Sequence, residues 1–196
     1  MKVLLVADGP RDEASLPPVL AVILNRRVDC EFESWARIHR SGSGRGYDRK
    51  LQFSVGQARS RGLNGLVAVV DRDKDRAGDR AKELRSTRES DRRNGLFFPT
   101  ALGVAAPHVD VWLLDDPVAV REGLGLDPTT EVINVRKAQD PKAELDRLIH
   151  DSELKHLDAL SAIANGLQPS RCVHAKETGF ESFSEDCCRE FSTSGS

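Results

Sequence analysis

Apolar residues along the chain fall into two rhythms. Met1 to Ala7, apolar but for Lys2, and Leu66 to Val70 are short runs followed by polar residues, the pattern of strands buried on both faces. Elsewhere the spacing lengthens to three and four. Leu16, Val19, Leu20 and Ile23 predict a helix over 13–24, with Pro17 and Pro18 in its first turns and Asn25-Arg26-Arg27 closing it. Alternation of Cys30, Phe32, Ser34, Ala36 and Ile38 predicts a strand over 30–38. A helix over 51–61 closed by Gly62, a charged helix over 79–88 and a strand within 96–105 follow. Val109, Trp112 and Leu113 fit a short amphipathic helix, and 118–124 a small one. A short strand is expected over 131–135, helices over 141–150 and 155–163, and a last helix docked by Phe180, Phe183 and Phe191. This order implies an α/β fold: a mostly parallel central sheet flanked by helices, with a helical C-terminal extension. The expected division is an α/β domain over 1–135 and a helical extension over 136–196 packed on it.

The polar breaks after the two runs carry acids. Asp8-Gly9 follows the first, and Asp12-Glu13 opens the next segment. Asp71, Asp73 and Asp75 follow the second. Alternate residues of an extended segment project the same way, so Asp71 and Asp73 face one point. Gly9 lets the backbone turn closely beside Asp8. In open α/β sheets, sites form beyond the carboxyl ends of strands. Neighbouring parallel strands would bring Asp8 to the Asp71/Asp73 pair. Like charges that close repel unless a proton or cation joins them, and an all-oxygen set suits Mg2+ or Mn2+. Asp8, Asp71, Asp73 and Asp75 are the candidate metal ligands. Asp110, Asp115 and Asp116 are expected to point back toward the same mouth. His108 either orients a carboxylate, contacts a phosphate, or is a surface histidine beside a capping aspartate.

The connector over 39–50 is glycine-rich and basic. Arg40, Arg45, Arg49 and Lys50 form a candidate grip on a phosphate backbone, with Tyr47 as a stacking ring; a solvated loop fits equally well. It lacks the Gly-Lys-Ser/Thr end of a Walker loop. The Lys82/Glu83/Arg85/Arg88/Glu89 pattern reads as a solvated helix face.

With 196 residues, 39% hydrophobic and 31% charged, the chain is globular rather than disordered. A net charge of -2 gives no global nucleic-acid signature but leaves a local basic patch open. No apolar run approaches the roughly 20 residues of a membrane span, and the first residues show no signal-peptide pattern. Cys30, Cys172, Cys187 and Cys188 match no zinc spacing, so free structural thiols and a reducing, cytoplasmic setting are expected.

These motifs resemble the Toprim fold, the metal-binding module of topoisomerases, primases and overcoming-lysogenization-defect-type nucleases. The marks are Asp8-Gly9 after the first strand and Asp71-Arg72-Asp73 after a later one. The chain is also similar to small stand-alone bacterial Toprim-like proteins, some linked to defence systems and paired with an ATPase. That similarity rests on the basic glycine-rich loop, on Pro107-His108-Val109-Asp110-Val111-Trp112-Leu113-Leu114-Asp115-Asp116, and on Phe180 and Phe183. Asp8 and Asp110 stand where the family usually has glutamate. The resemblance implies Mg2+- or Mn2+-dependent cleavage of nucleic acid, DNA ahead of RNA. Asp8, Asp71 and Asp73 would hold the metal. Asp12 or Glu13, and Asp110 or Asp115, would serve as outer ligand or base. A non-catalytic metal- and phosphate-binding subunit of an ATPase complex is the other reading, and loop acids that merely cap helices the third. Oligomeric state is left open.

Overall fold

Four parallel strands pair in the order β2-β1-β3-β4, in a computed structural model describing residues 1–38, 46–72 and 78–192. They are β1 (Lys2–Ala7), β2 (Asp29–Ser34), β3 (Gly65–Asp71) and β4 (Thr100–Ala105). The connections are α1 (Pro10–Leu24), a single turn α2 (Trp35–Ile38), α3 (Tyr47–Ser60) and α4 (Asp79–Arg93). Side chains alternate across the sheet. Val3, Leu5, Ala7, Val67 and Val69 join Leu16, Val19 and Leu20 of α1 in one core. Leu4, Val6, Leu66, Ala68 and Val70 face the other way and meet Trp35, Ile38, Leu51, Ala58 and Leu84. Both faces are therefore covered, as the apolar runs require.

The chain leaves β1 outward to β2, then crosses back to β3. The strand order thus reverses between β1 and β3, where an α/β sheet opens a crevice at its carboxyl end. Asp8 follows β1 and Asp71 is the last residue of β3.

Several elements differ from the sequence expectation. Helix α1 begins at Pro10, because Gly9 is its N-cap and Asp12 closes the cap. Pro17 and Pro18 consequently lie mid-helix, not in the first turns. Strand β2 stops at Ser34, where Trp35 turns inward and its Nε1 donates to the Val69 carbonyl at 2.7 Å. Helix α3 starts at Tyr47, so Tyr47, Arg49 and Lys50 ride a helix instead of a loop. Helix α4 continues to Arg93, β4 starts only at Thr100, and 131–135 form no strand.

Beyond β4 come α5 (Asp110–Leu114), α6 (Pro117–Leu124), α7 (Pro141–His150), α8 (His156–Gly166), α9 (Ala175–Thr178) and α10 (Phe180–Phe191). Leu145, Leu160, Ile163, Phe180, Phe183 and Phe191 complete the core begun by α1. Phe183 stacks on Trp112, ring centroids 5.0 Å apart. A Cβ on Gly103 would come within 2.8 Å of the Phe183 ring, so glycine lets α10 lie against β4. All four cysteines are free. No helix among the described residues is long and apolar enough to cross a membrane.

Strand β4 is a sheet edge, and edge N–H groups need partners. Helix α10 supplies them with carboxylates. Asp186 accepts the Leu102 N–H at 2.7 Å and Glu190 the Thr100 N–H at 3.2 Å. Arg88 and Arg92 of α4 bind the same two acids, Arg88 at 2.5 Å from Asp186. Asp186→Ala strands the Leu102 N–H in a buried place and takes from Arg88 its shortest carboxylate contact, leaving it the Thr100 carbonyl and Glu89. It should cost roughly 3–5 kcal/mol in urea denaturation, against at most about 1 kcal/mol for Arg189→Ala, the exposed partner of the same acid. Equal losses would show that the edge is not held this way.

Candidate functional site

A cleft of about 250 Å3 opens at the carboxyl ends of β1 and β3. Asp8, Asp12, Asp71 and Asp110 line it, with Arg11, His108 and Lys142. Strand β1 delivers Asp8, β3 delivers Asp71, and the segment leaving β4 delivers His108 and Asp110. The convergence expected for Asp8 and Asp71 is thus present at the level of one shared cleft.

Asp12 sits one turn into α1. Its Oδ2 accepts the N–H groups of Asp8 at 2.9 Å and Gly9 at 3.2 Å. It therefore holds the backbone that presents Asp8. Burial pushes its pKa up to about 6, against those two N–H bonds and with help from the Asp8 and Asp110 charges.

Asp110 is fastened by Arg11 and His108. Arg11 reaches its Oδ1 with Nε at 2.8 Å and with Nη2. His108 Nδ1 lies 3.0 Å from the other oxygen. Burial acts to raise the Asp110 pKa, but His108 and Arg11 outweigh it and hold the group below the ordinary carboxylate range. Arg11 Nη1 also reaches Asp146 of α7 at 2.6 Å, and His156 of α8 lies 2.8 Å from the same carboxylate. One guanidinium thus ties α1, α5, α7 and α8 beside the cleft. Two guanidinium N–H groups converge on one oxygen of Asp110, a charge-assisted arrangement stronger than a neutral pair.

Other expected site residues lie elsewhere. Asp115 and Asp116 do not line the cleft. They fall past the end of α5, where Asp115 accepts the His174 N–H at 2.8 Å. Fully buried Asp116 caps α6 through the Ala119 N–H at 3.1 Å and also binds Gln168 and Arg171. Their role here is to fasten the C-terminal segment. Glu13 is exposed on α1 and outside the cleft lining. Tyr47 is packed, not presented for stacking. Its ring lies 5.0 Å from Trp35, with the Lys50 ammonium at 4.3 Å and the Arg80 guanidinium at 5.3 Å. Lys50 is itself buried; desolvation and Arg80 draw its pKa down, while Asp8 and Glu83 oppose. Arg49 is exposed on α3. Arg40, Arg45, Asp73 and Asp75 lie outside the described residues.

The donor chemistry of Asp8 and Asp71 suits a hard cation. Among the described residues, however, no three His, Cys, Asp or Glu side chains are grouped closely enough to hold one. Arg11, Lys142, Asp146 and His156 were not singled out by their sequence context. Arg11 alone carried a local signal, a cation between the two acids Asp8 and Asp12. Compared with family profiles, curated proteins and solved structures, the chain matches none.

The raised pKa of Asp12 has a stability consequence. Its folded value of about 6 exceeds the ordinary 3.8, so the fold favours the protonated form. The contribution is harmless below pH 4, becomes unfavourable as pH rises through the window from 3.8 to 6, and is fully unfavourable above it. Asp12→Asn keeps an oxygen acceptor without the charge. In EDTA it should gain stability relative to the parent protein between pH 4 and pH 7, by up to about 3 kcal/mol. A pH-independent difference in thermal or urea unfolding would refute this.

Proposed function

We propose that the chain is a metal-dependent phosphodiesterase acting on nucleic acid, on the Toprim-like plan its motifs resemble. The supporting observation is placement. Asp8 follows β1 and Asp71 ends β3, the two strands that flank the strand-order reversal, and they line one cleft rimmed by Arg11, His108 and Lys142. In this reading Asp8 and Asp71 hold Mg2+ or Mn2+, with Asp73 and Asp75 as further ligands. When bound, the cation polarises a phosphoryl oxygen and lowers the pKa of water.

The chain's own groups have separate tasks. Lys142 attracts the anionic substrate from the rim. Asp12 fixes the Asp8 backbone, and Arg11 fixes Asp110. Asp110 in turn orients His108 through Nδ1, which makes Nε2 the atom through which the ring exchanges a proton in the cleft. The same resemblance extends the proposal to a cytoplasmic protein of a bacterial defence system that works beside an ATPase.

A second reading rests on a specific observation. Asp110 is held by Arg11 and His108, and Asp12 by two backbone N–H groups, so the protein itself occupies two of the four cleft acids. Fewer carboxylates then serve a cation, as in a regulatory subunit that binds metal and phosphate without turnover.

Calorimetric titration with Mn2+ and Mg2+, followed by cleavage assays on single-stranded DNA, duplex DNA and RNA, separates the two. Hydrolysis predicts metal binding and cleavage, with Asp8→Asn and Asp71→Asn each lowering metal affinity by about ten-fold or more and the rate by about 100-fold or more. Metal binding without cleavage, including in the presence of an ATPase partner, selects the regulatory reading. Absence of metal binding removes both.

A further inference from the structure

The charged helix α4, read from sequence as a solvated face, forms one wall of a groove of about 790 Å3, against about 250 Å3 for the acid cleft. The floor is edge strand β4 at Leu102 and Val104, with Ala106 just beyond it, and the opposite wall is α9 and α10. Arg72, Lys82, Arg85 and Lys176 line it, are exposed, and form no ion pair among the described residues.

The acids of the groove are mostly neutralised. Asp186 is bound by Arg88 and Arg189, Glu89 by Arg88 and Arg92, and Glu177 by Arg136. Glu185 alone lacks an ion pair among the described residues lining it. Among the described residues, four cations without an ion pair stand against one such acid and give the concavity a positive field within a chain whose net charge is -2. A concave wall concentrates such a field, whereas a convex helix surface would dilute it in solvent.

The groove also has a direction. Its lining reaches Arg72, the residue after Asp71, and Ala106, two residues before His108. Asp71 and Ala105 are register partners in the sheet. The linings of the positive groove and of the acid cleft therefore stand on consecutive residues at the carboxyl ends of β3 and β4. The aromatic side chain among its lining residues, Phe183, is fully buried against Trp112. Such a lining offers charge to a backbone but no platform for bases.

The geometry points to this groove as the track for a phosphodiester backbone, gripped by Arg72, Lys82, Arg85 and Lys176 without reading sequence, and leading it to the Asp8/Asp71 cleft. The assignment deepens the proposed function: the substrate class is that reading's own, and the binding surface is new.

Fluorescence anisotropy in EDTA tests it apart from any cleavage, using labelled single-stranded and duplex oligonucleotides of mixed sequence across a salt series. Lys82→Glu/Arg85→Glu reverses two exposed charges without touching the Arg88–Asp186 support. It should weaken binding about ten-fold or more and reduce the slope of log affinity against log salt by about 1 for each phosphate left without its cation. Arg93→Glu, exposed on α4 but outside the groove, should change little. The larger loss in the single-stranded or duplex arm identifies the form the groove accepts.

Parent protein that binds neither oligonucleotide overturns the assignment. So does an equal loss in Arg93→Glu, which would reduce the effect to net charge. Competition by a poly-glutamate chain as strong as that by the oligonucleotides would assign the groove to an acidic protein partner instead. Retained binding in Lys82→Glu/Arg85→Glu alongside metal-dependent cleavage removes the groove and leaves the hydrolytic reading. Lost binding in that variant with no cleavage by the parent keeps the groove and removes the hydrolytic reading.

Discussion

A carboxylate taken out of water must be met by donors or cations, and this requirement shapes the molecule. Asp186 and Glu190 satisfy it with the N–H groups of edge strand β4 and the guanidinium groups of Arg88 and Arg92. Asp116 meets the start of α6 and the Gln168 N–H, and Asp115 meets the His174 N–H. Asp12 closes the first turn of α1, and Asp110 takes Arg11. The C-terminal helices are therefore fastened to the sheet by charge and backbone together, over an aromatic contact of Trp112 with Phe180 and Phe183.

The same requirement sorts the acids by role. Those above act on the protein's own backbone or cations. Asp8 and Asp71 are distinguished by position: they stand at the carboxyl ends of adjacent parallel strands where the sheet order turns back, and they share a cleft. Asp12 and Arg11 then read as support for that place. One sets the loop carrying Asp8, and the other sets Asp110 and, through it, His108. The basic groove lies one residue beyond Asp71, so the proposed grip and the proposed chemistry are neighbours across the end of one strand.

Much of this was legible in the chain itself. Val3 to Ala7 and Leu66 to Val70 are apolar without interruption because both faces of their strands are covered, and that announced a parallel sheet with acids at its mouth. Local rhythm misled at Ser34, Ala36 and Ile38, where alternation continues although Trp35 has already turned the chain into a helix. The start of α1 was hidden because Pro17 and Pro18 drew attention from Gly9-Pro10 and the Asp12 cap. Partners were the least legible feature. Arg11 and Asp110 are 99 residues apart, Arg88 and Asp186 98. Arg88/Arg92 and Asp186/Glu190 share a spacing of four, but nothing local says that their helices face one another. The two acids of Asp115-Asp116 look like a site on paper, and only the packing of the C-terminal segment shows what they hold.

The central claim is that Asp8 and Asp71 share one divalent cation at the strand-order reversal. Crystals of the full chain soaked in Mn2+, with anomalous diffraction collected near the manganese edge, test it most directly. The account predicts a peak in the cleft within about 2.0–2.6 Å of a carboxylate oxygen from each residue. No peak there at saturating Mn2+, or a peak touching only one of the two, would contradict it.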